Sequence, residues 1–198
     1  MSVISLKTKQ KYGTLLAGNA FFMPSAFESI ATVTVSGSAV SSIDFTSIPN
    51  TYQHLQIRGI GRTDANAILS LSRVRFNSDT AANYTQHTLY GNGSSVGTDT
   101  NTSDTTIQWL APVPGNNATA NVFGAMILDI HDYKSTSKYK TVRVFAGDDG
   151  NAANVDYRVF LKSGLWMSTS AITSISLFCS GPNWVSGSTF ALYGIKGA

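Results

Sequence analysis

Tyr52-Gln53-His54-Leu55-Gln56-Ile57-Arg58-Gly59-Ile60-Gly61-Arg62 decides how the rest of the chain is read. Leu55 and Ile57 alternate with His54, Gln56 and Arg58, so an extended segment here has one apolar side and one polar side. A period of two marks a half-buried β-strand, because successive side chains on a strand point to opposite faces. Ile48-Pro49-Asn50 just before it is a turn signal, and Gly59 and Gly61 point to a bulge or a close approach of backbone. The stretch reads as an early central strand of an all-β domain.

Strand-like runs continue on both sides of it. Upstream lie residues 30–35 and 43–45; downstream lie 68–76, 84–90, 105–111, 139–146, 155–162, 172–179 and 189–195. Val122-Phe123-Gly124-Ala125-Met126-Ile127-Leu128-Asp129-Ile130 is the longest apolar run, and it predicts a central strand buried on both faces. Residues 91–104 contain almost nothing to bury and read as a long polar loop, either mobile or functional. Roughly ten strands at spacings near 8–12 residues predict an antiparallel two-sheet β-sandwich, jelly-roll-like.

Composition supports this class. Charged residues make up 13% of the chain and Glu28 is its one glutamate, whereas an average globular protein is about 25% charged. Helix surfaces need Glu, Lys, Arg and Ala, so long helices are not expected. The net charge of +3 has a location: Lys7, Lys9 and Lys11 lie in residues 1–27, which hold no acid. Taking those three from the 14 basic residues leaves eleven, against 11 acidic ones in residues 28–198. The chain thus divides into a basic N-terminal arm, 1–27, and a neutral β-sandwich body, 28–198.

The arm carries Val3, Ile4, Leu6, Leu15, Leu16, Phe21 and Phe22 around its lysines. So apolar a segment suits docking on another chain better than a free linker; a short first strand on its own domain is the alternative. Leu6, Lys7, Lys9, Lys11, Leu15, Leu16, Phe21 and Phe22 are the expected anchoring residues. Three lysines on an arm, without a basic helix or stripe, do not make a nucleic-acid interface. No apolar run has the length of a membrane span, so membrane insertion is not expected.

Chemistry-bearing motifs are sparse. Asp129-x-His131-Asp132 is the one dense group of metal-ligand types, and it lacks the third and fourth ligands a metal requires. Asp148-Asp149-Gly150-Asn151 has turn chemistry and not the ligand alternation of a calcium loop. Cys179, alone, reads as a buried small apolar side chain. His54, His87 and His131 fall on separate runs with no recognisable partner, and one glutamate gives no glycosidase-type pair. No catalytic residue, cofactor or metal site is therefore expected. Tyr90, Trp109, Tyr133, Trp166 and Trp184 near strand ends are either sugar-stacking rings or plugs of the sandwich core.

The stretches Ala26-Phe27-Glu28-Ser29-Ile30-Ala31-Thr32-Val33-Thr34-Val35, Ile43-Asp44-Phe45-Thr46-Ser47-Ile48-Pro49-Asn50-Thr51-Tyr52-Gln53-His54-Leu55-Gln56-Ile57-Arg58 and Gly187-Ser188-Thr189-Phe190-Ala191-Leu192-Tyr193-Gly194-Ile195 resemble structural proteins of tailed bacteriophages. Similar modules belong to phages of cyanobacteria and other aquatic bacteria. The resemblance covers the body from about residue 26 onward and leaves the arm outside it. It implies a β-sandwich in the virion, as a short tail fibre or a baseplate-attached host-recognition component, with a capsid decoration or cement protein as the alternative. It also implies a homotrimer contacting other virion proteins and a host surface glycan, and it carries over no catalytic residue. On this view Asn92, Asp99, Asn101, Asp104, Trp166 and Trp184 are the expected receptor or partner contacts. A carbohydrate-active enzyme is the competing reading from another class.

Overall fold

In the computed structural model, residues 26–150 and 157–197 are described. They form twelve strands and no helix: β1 (Phe27–Thr34), β2 (Ser42–Phe45), β3 (His54–Gly61), β4 (Leu69–Phe76), β5 (Tyr84–Gly91), β6 (Val96–Asp104), β7 (Pro112–Pro114), β8 (Gly124–Ile130), β9 (Lys140–Gly147), β10 (Val159–Trp166), β11 (Ile175–Cys179) and β12 (Thr189–Ile195). Eight make one sheet in the order β1-β12-β3-β8-β9-β10-β5-β6, and four make the other, β2-β11-β4-β7. Every pairing is antiparallel. This is the two-layer sandwich the alternation predicts, with its strands divided eight and four.

The core lies where the inner faces meet. From the large sheet come Leu55, Ile57, Leu128, Ile130, Val142, Val144, Phe160 and Leu192; from the small one come Ile43, Phe45, Val74, Phe76, Ile175 and Leu177. Register stacks them, with Leu55 opposite Ile130 and Ile57 opposite both Leu128 and Leu192. Each such side chain contributes about 1.5–3 kcal/mol on full burial. The opening stretch is thus β3, third of eight, with Leu55 and Ile57 inward and Arg58 outward. Its glycines mark close approach: a Cβ on Gly59 would sit 2.2 Å from the Phe190 ring, and one on Gly61 2.6 Å from Trp184.

Three expectations need correction. Residues 91–104 are not a long loop, because Val96–Asp104 pairs with β5 as the outermost strand of the large sheet. Thr98, Thr100 and Thr102 supply the β-branched alternation, and an edge strand under water on one side needs no apolar run. Residues 105–111 do not form a strand. Ile107 makes one isolated bridge to Val74, and Trp109 takes a φ of 51°, a left-handed conformation that breaks an extended run. Finally, β8 is buried on one face alone, since Ala125 and Ile127 are exposed.

Candidate interaction surfaces

The exposure of β8 extends to its neighbours. Ile127, Phe145, Leu161 and Leu89 are successive register partners on β8, β9, β10 and β5, and all four point away from the core. Two residues further along, Ala125, Gly147, Val159, Gly91 and Val96 form a parallel row, with Ile60 of β3 opposite Ala125. Phe145 is 60% exposed, Leu161 56% and Val96 76%. The surface between β8, β9 and β10 is a shallow apolar groove lined by Ala125, Ile127, Phe145, Gly147 and Val159. In the other direction the face turns polar. Asp129 lies opposite Arg143, and Arg143 opposite Ser163. Gln56 donates from Nε2 to Asp129 Oδ1 at 2.7 Å, and Arg58 Nε donates to Gln56 Oε1 at 2.7 Å.

The outer face of the small sheet is of another kind. Ser42, Phe178 and Arg73 make one register row there; Asp44, Ser176 and Arg75 make the next. The Arg75 guanidinium lies 5.0 Å from the Phe178 ring centroid. Ser42, Asp44, Arg75, Ser176 and Phe178 line a shallow polar depression with Gly181 and Pro182.

The sequence-predicted contacts scatter. Trp166 and Trp184 are 2% and 1% exposed, so they are core plugs and not contact residues, a correction their size explains. The Trp166 indole donates to Asp79 Oδ2 at 2.7 Å and its ring stacks at 6.3 Å from Tyr84. The Trp184 indole donates to the Leu177 carbonyl at 3.1 Å and meets Phe190 edge-on at 4.9 Å. Asn92 shapes the β5–β6 turn, accepting from the Ser94 and Ser95 amides. Asn101 donates to Asp104 at 2.7 Å at the far end of β6, and Asp99 sits between these two places on the same strand. The anchoring residues Leu6, Lys7, Lys9, Lys11, Leu15, Leu16, Phe21 and Phe22 lie outside the described residues.

The polar clusters serve local structure. His54 Nδ1 accepts from the Asp132 amide at 3.0 Å, and the His54 and His131 rings meet edge-on at 5.2 Å. Asp132 accepts from Gln53 and from Lys138, and the Lys138 bond leads the effects that hold its pKa below the ordinary carboxylate value. Asp64 clasps Asn183 through both oxygens, accepting from its amide at 2.7 Å and its side chain at 2.8 Å, which likewise lowers its pKa. Burial pushes the Cys179 thiol up to about 12, so it is an inert core group. Among the described residues no three His, Cys, Asp or Glu side chains gather as a metal site requires.

Two buried lysines went unnoticed in the sequence. Lys140 Nζ donates to the Lys138 carbonyl at 2.7 Å and the Ser168 carbonyl at 3.3 Å, with the Trp166 ring 6.0 Å away. Lys162, 1% exposed, has no hydrogen-bond partner for Nζ among the described residues and faces inward beside Val144 and Thr88. Burial brings its pKa down to about 8. Alternation was the available signal: Phe160, Lys162, Gly164 and Trp166 share the inward parity of β10, while Val159 and Leu161 share the outward one.

The fold defines an all-β sandwich with one polar outer face and one that is apolar over part of its extent. Beyond that class, comparison of the chain with protein-family models, curated proteins and solved structures finds no match.

Proposed function

We propose that the chain is a non-catalytic structural protein of a tailed-bacteriophage virion, a short tail fibre or baseplate-attached host-recognition component. The arm anchors it, and the sandwich projects with its polar outer face toward the surroundings. The observation that carries the assembly role is the register-matched row Ile127, Phe145, Leu161 and Leu89 on the outside of the large sheet. An exposed apolar area of this extent marks an interaction surface, since monomeric proteins seldom present more than a few hundred Å² of contiguous apolar patch. The virion setting is supported by the resemblance of the 26–35, 43–58 and 187–195 stretches to tailed-phage structural proteins. The same face also suits a capsid decoration protein clamping its neighbours.

Quantitative mass spectrometry of purified particles of the encoding phage tests this. A few tens of copies or fewer are expected for a tail component. Hundreds of copies move the protein to the capsid, and its absence from particles overturns the reading. Deleting residues 1–25 is expected to give a soluble body that no longer joins the particle; normal incorporation refutes the anchoring role.

A further inference from the structure

We infer that the apolar half of the large sheet's outer face is where a second copy of this chain docks, face to face about a two-fold axis. The inference rests on reading that face as an assembly surface and goes further by naming its occupant and symmetry.

Area is the first argument. Ile60, Leu89, Val96, Ile127, Phe145, Val159 and Leu161 together expose on the order of 700 Å², close to the ~800 Å² per partner of a standard specific interface. The second is the lack of another such patch among the described residues. Among the described residues the remaining exposed large apolar side chains are Phe27, Val40, Tyr139 and Met167. Phe27 and Val40 stand apart from each other, and Tyr139 and Met167 adjoin the end of the β9–β10 pairing. None makes a patch able to receive a four-strand apolar row. A head-to-tail ring needs two different complementary patches, whereas an isologous pair needs one patch that matches itself. The face therefore points to two-fold pairing, in place of the trimer implied by the resemblance.

Charge is the third argument. Among the described residues the charged or titratable groups bordering the apolar half are Arg58, Arg143, Asp129 and His87 on one side and Asp149 on the other, which leave no surplus of acid. The basic arm, with Lys7, Lys9, Lys11 and no carboxylate, finds no complement there. A second copy fits because the apolar rows meet centrally while the charged row stays at the rim, in water. Geometry agrees, since two twisted sheets pack face to face at about 10 Å with strands near-aligned or crossed. The docked pair adds a sheet-on-sheet interface to the one inside each copy, giving four layers in all.

Light scattering coupled to size exclusion on the purified full chain, at tens of micromolar, is the test. A mass near twice the 21.1 kDa of one chain is expected. Phe145→Asp with Leu161→Asp should halve it without changing the circular dichroism spectrum, because both side chains face outward. Thr141→Asp, outward on the polar half of β9, should leave the dimer intact. A monomeric wild-type chain overturns the inference, whether another segment of the chain or a foreign protein covers the face. So does a trimer, or a dimer indifferent to the double substitution. These outcomes are read on the chain in solution, so they are independent of whether particles contain it.

Discussion

The two outer faces of the sandwich obey the same alternation rule and present opposite chemistry. On the four-stranded sheet, the residues that alternate with Val74, Phe76, Ile175 and Leu177 are Arg73, Arg75, Ser176 and Phe178, and the Phe178 ring lies under a guanidinium. On the eight-stranded sheet, the residues that alternate with Val144, Ala146 and Phe160 are Phe145, Val159 and Leu161, open to solvent. A strand whose outward positions are polar is finished once one face is buried. A strand apolar on both parities leaves apolar surface open to water when only one face is covered. The contrast separates a surface already suited to water from an apolar one that the proposed dimer would cover.

Both faces depend on the core between them, so the largest effect comes from breaking that. Trp184→Ala removes a ring that packs on Phe190 and donates to Leu177 across the layers. A loss of about 4 kcal/mol is expected from denaturant unfolding. A loss below about 1 kcal/mol would mean the sheets are not held together there.

Lys162→Met sharpens the contrast inside β10, where an ammonium faces the core and leucine faces water. A lysine whose pKa is about 8 in the folded chain and 10.5 ordinarily binds fewer protons folded than unfolded between those values. Stability contributed by this group therefore rises with pH across that window, and the cost of burying its charge is fully present below it. The substitution is expected to stabilise the protein by about 2 kcal/mol at pH 7, with the gain shrinking toward pH 10. Destabilisation at pH 7 would show that the ammonium is satisfied by something bound. The smallest effect belongs to the finished face. Arg75→Ala should change stability by less than about 0.5 kcal/mol, because half-exposed surface groups contribute little; a drop of several degrees in thermal midpoint would contradict its description as a solvated surface.

How much was legible in the sequence follows from the same parity argument. Leu55 and Ile57 announced β3 because polar residues separate them, and Tyr84, Val142 and Leu192 sit in runs with the same signature. Val96–Asp104 was hidden because its alternation is threonine against polar residues, which hydrophobic patterning does not register. The apolar outer face was hidden differently. Gly124–Ile130 is apolar at nearly every position, so its sequence cannot tell a strand covered on both sides from one awaiting a cover. Deciding between them takes knowledge of what lies beyond β8, and that is a property of the fold. The tryptophans misled because a large ring near a strand end is equally placed to plug a sandwich or to meet a ligand.

The order of strands also sets a clock. β12, made after the other eleven strands, is inserted between β1 and β3, and β11 is inserted between β2 and β4. Until those two strands leave the ribosome, β1 and β2 have no neighbour to pair with, and neither sheet can close around its inner residues. Such distant pairings fold slowly and leave apolar surface open meanwhile. The sandwich must therefore remain unfinished until β11 and β12 have been made and close in a late step, so a stop codon after residue 170 should yield no native sandwich at all.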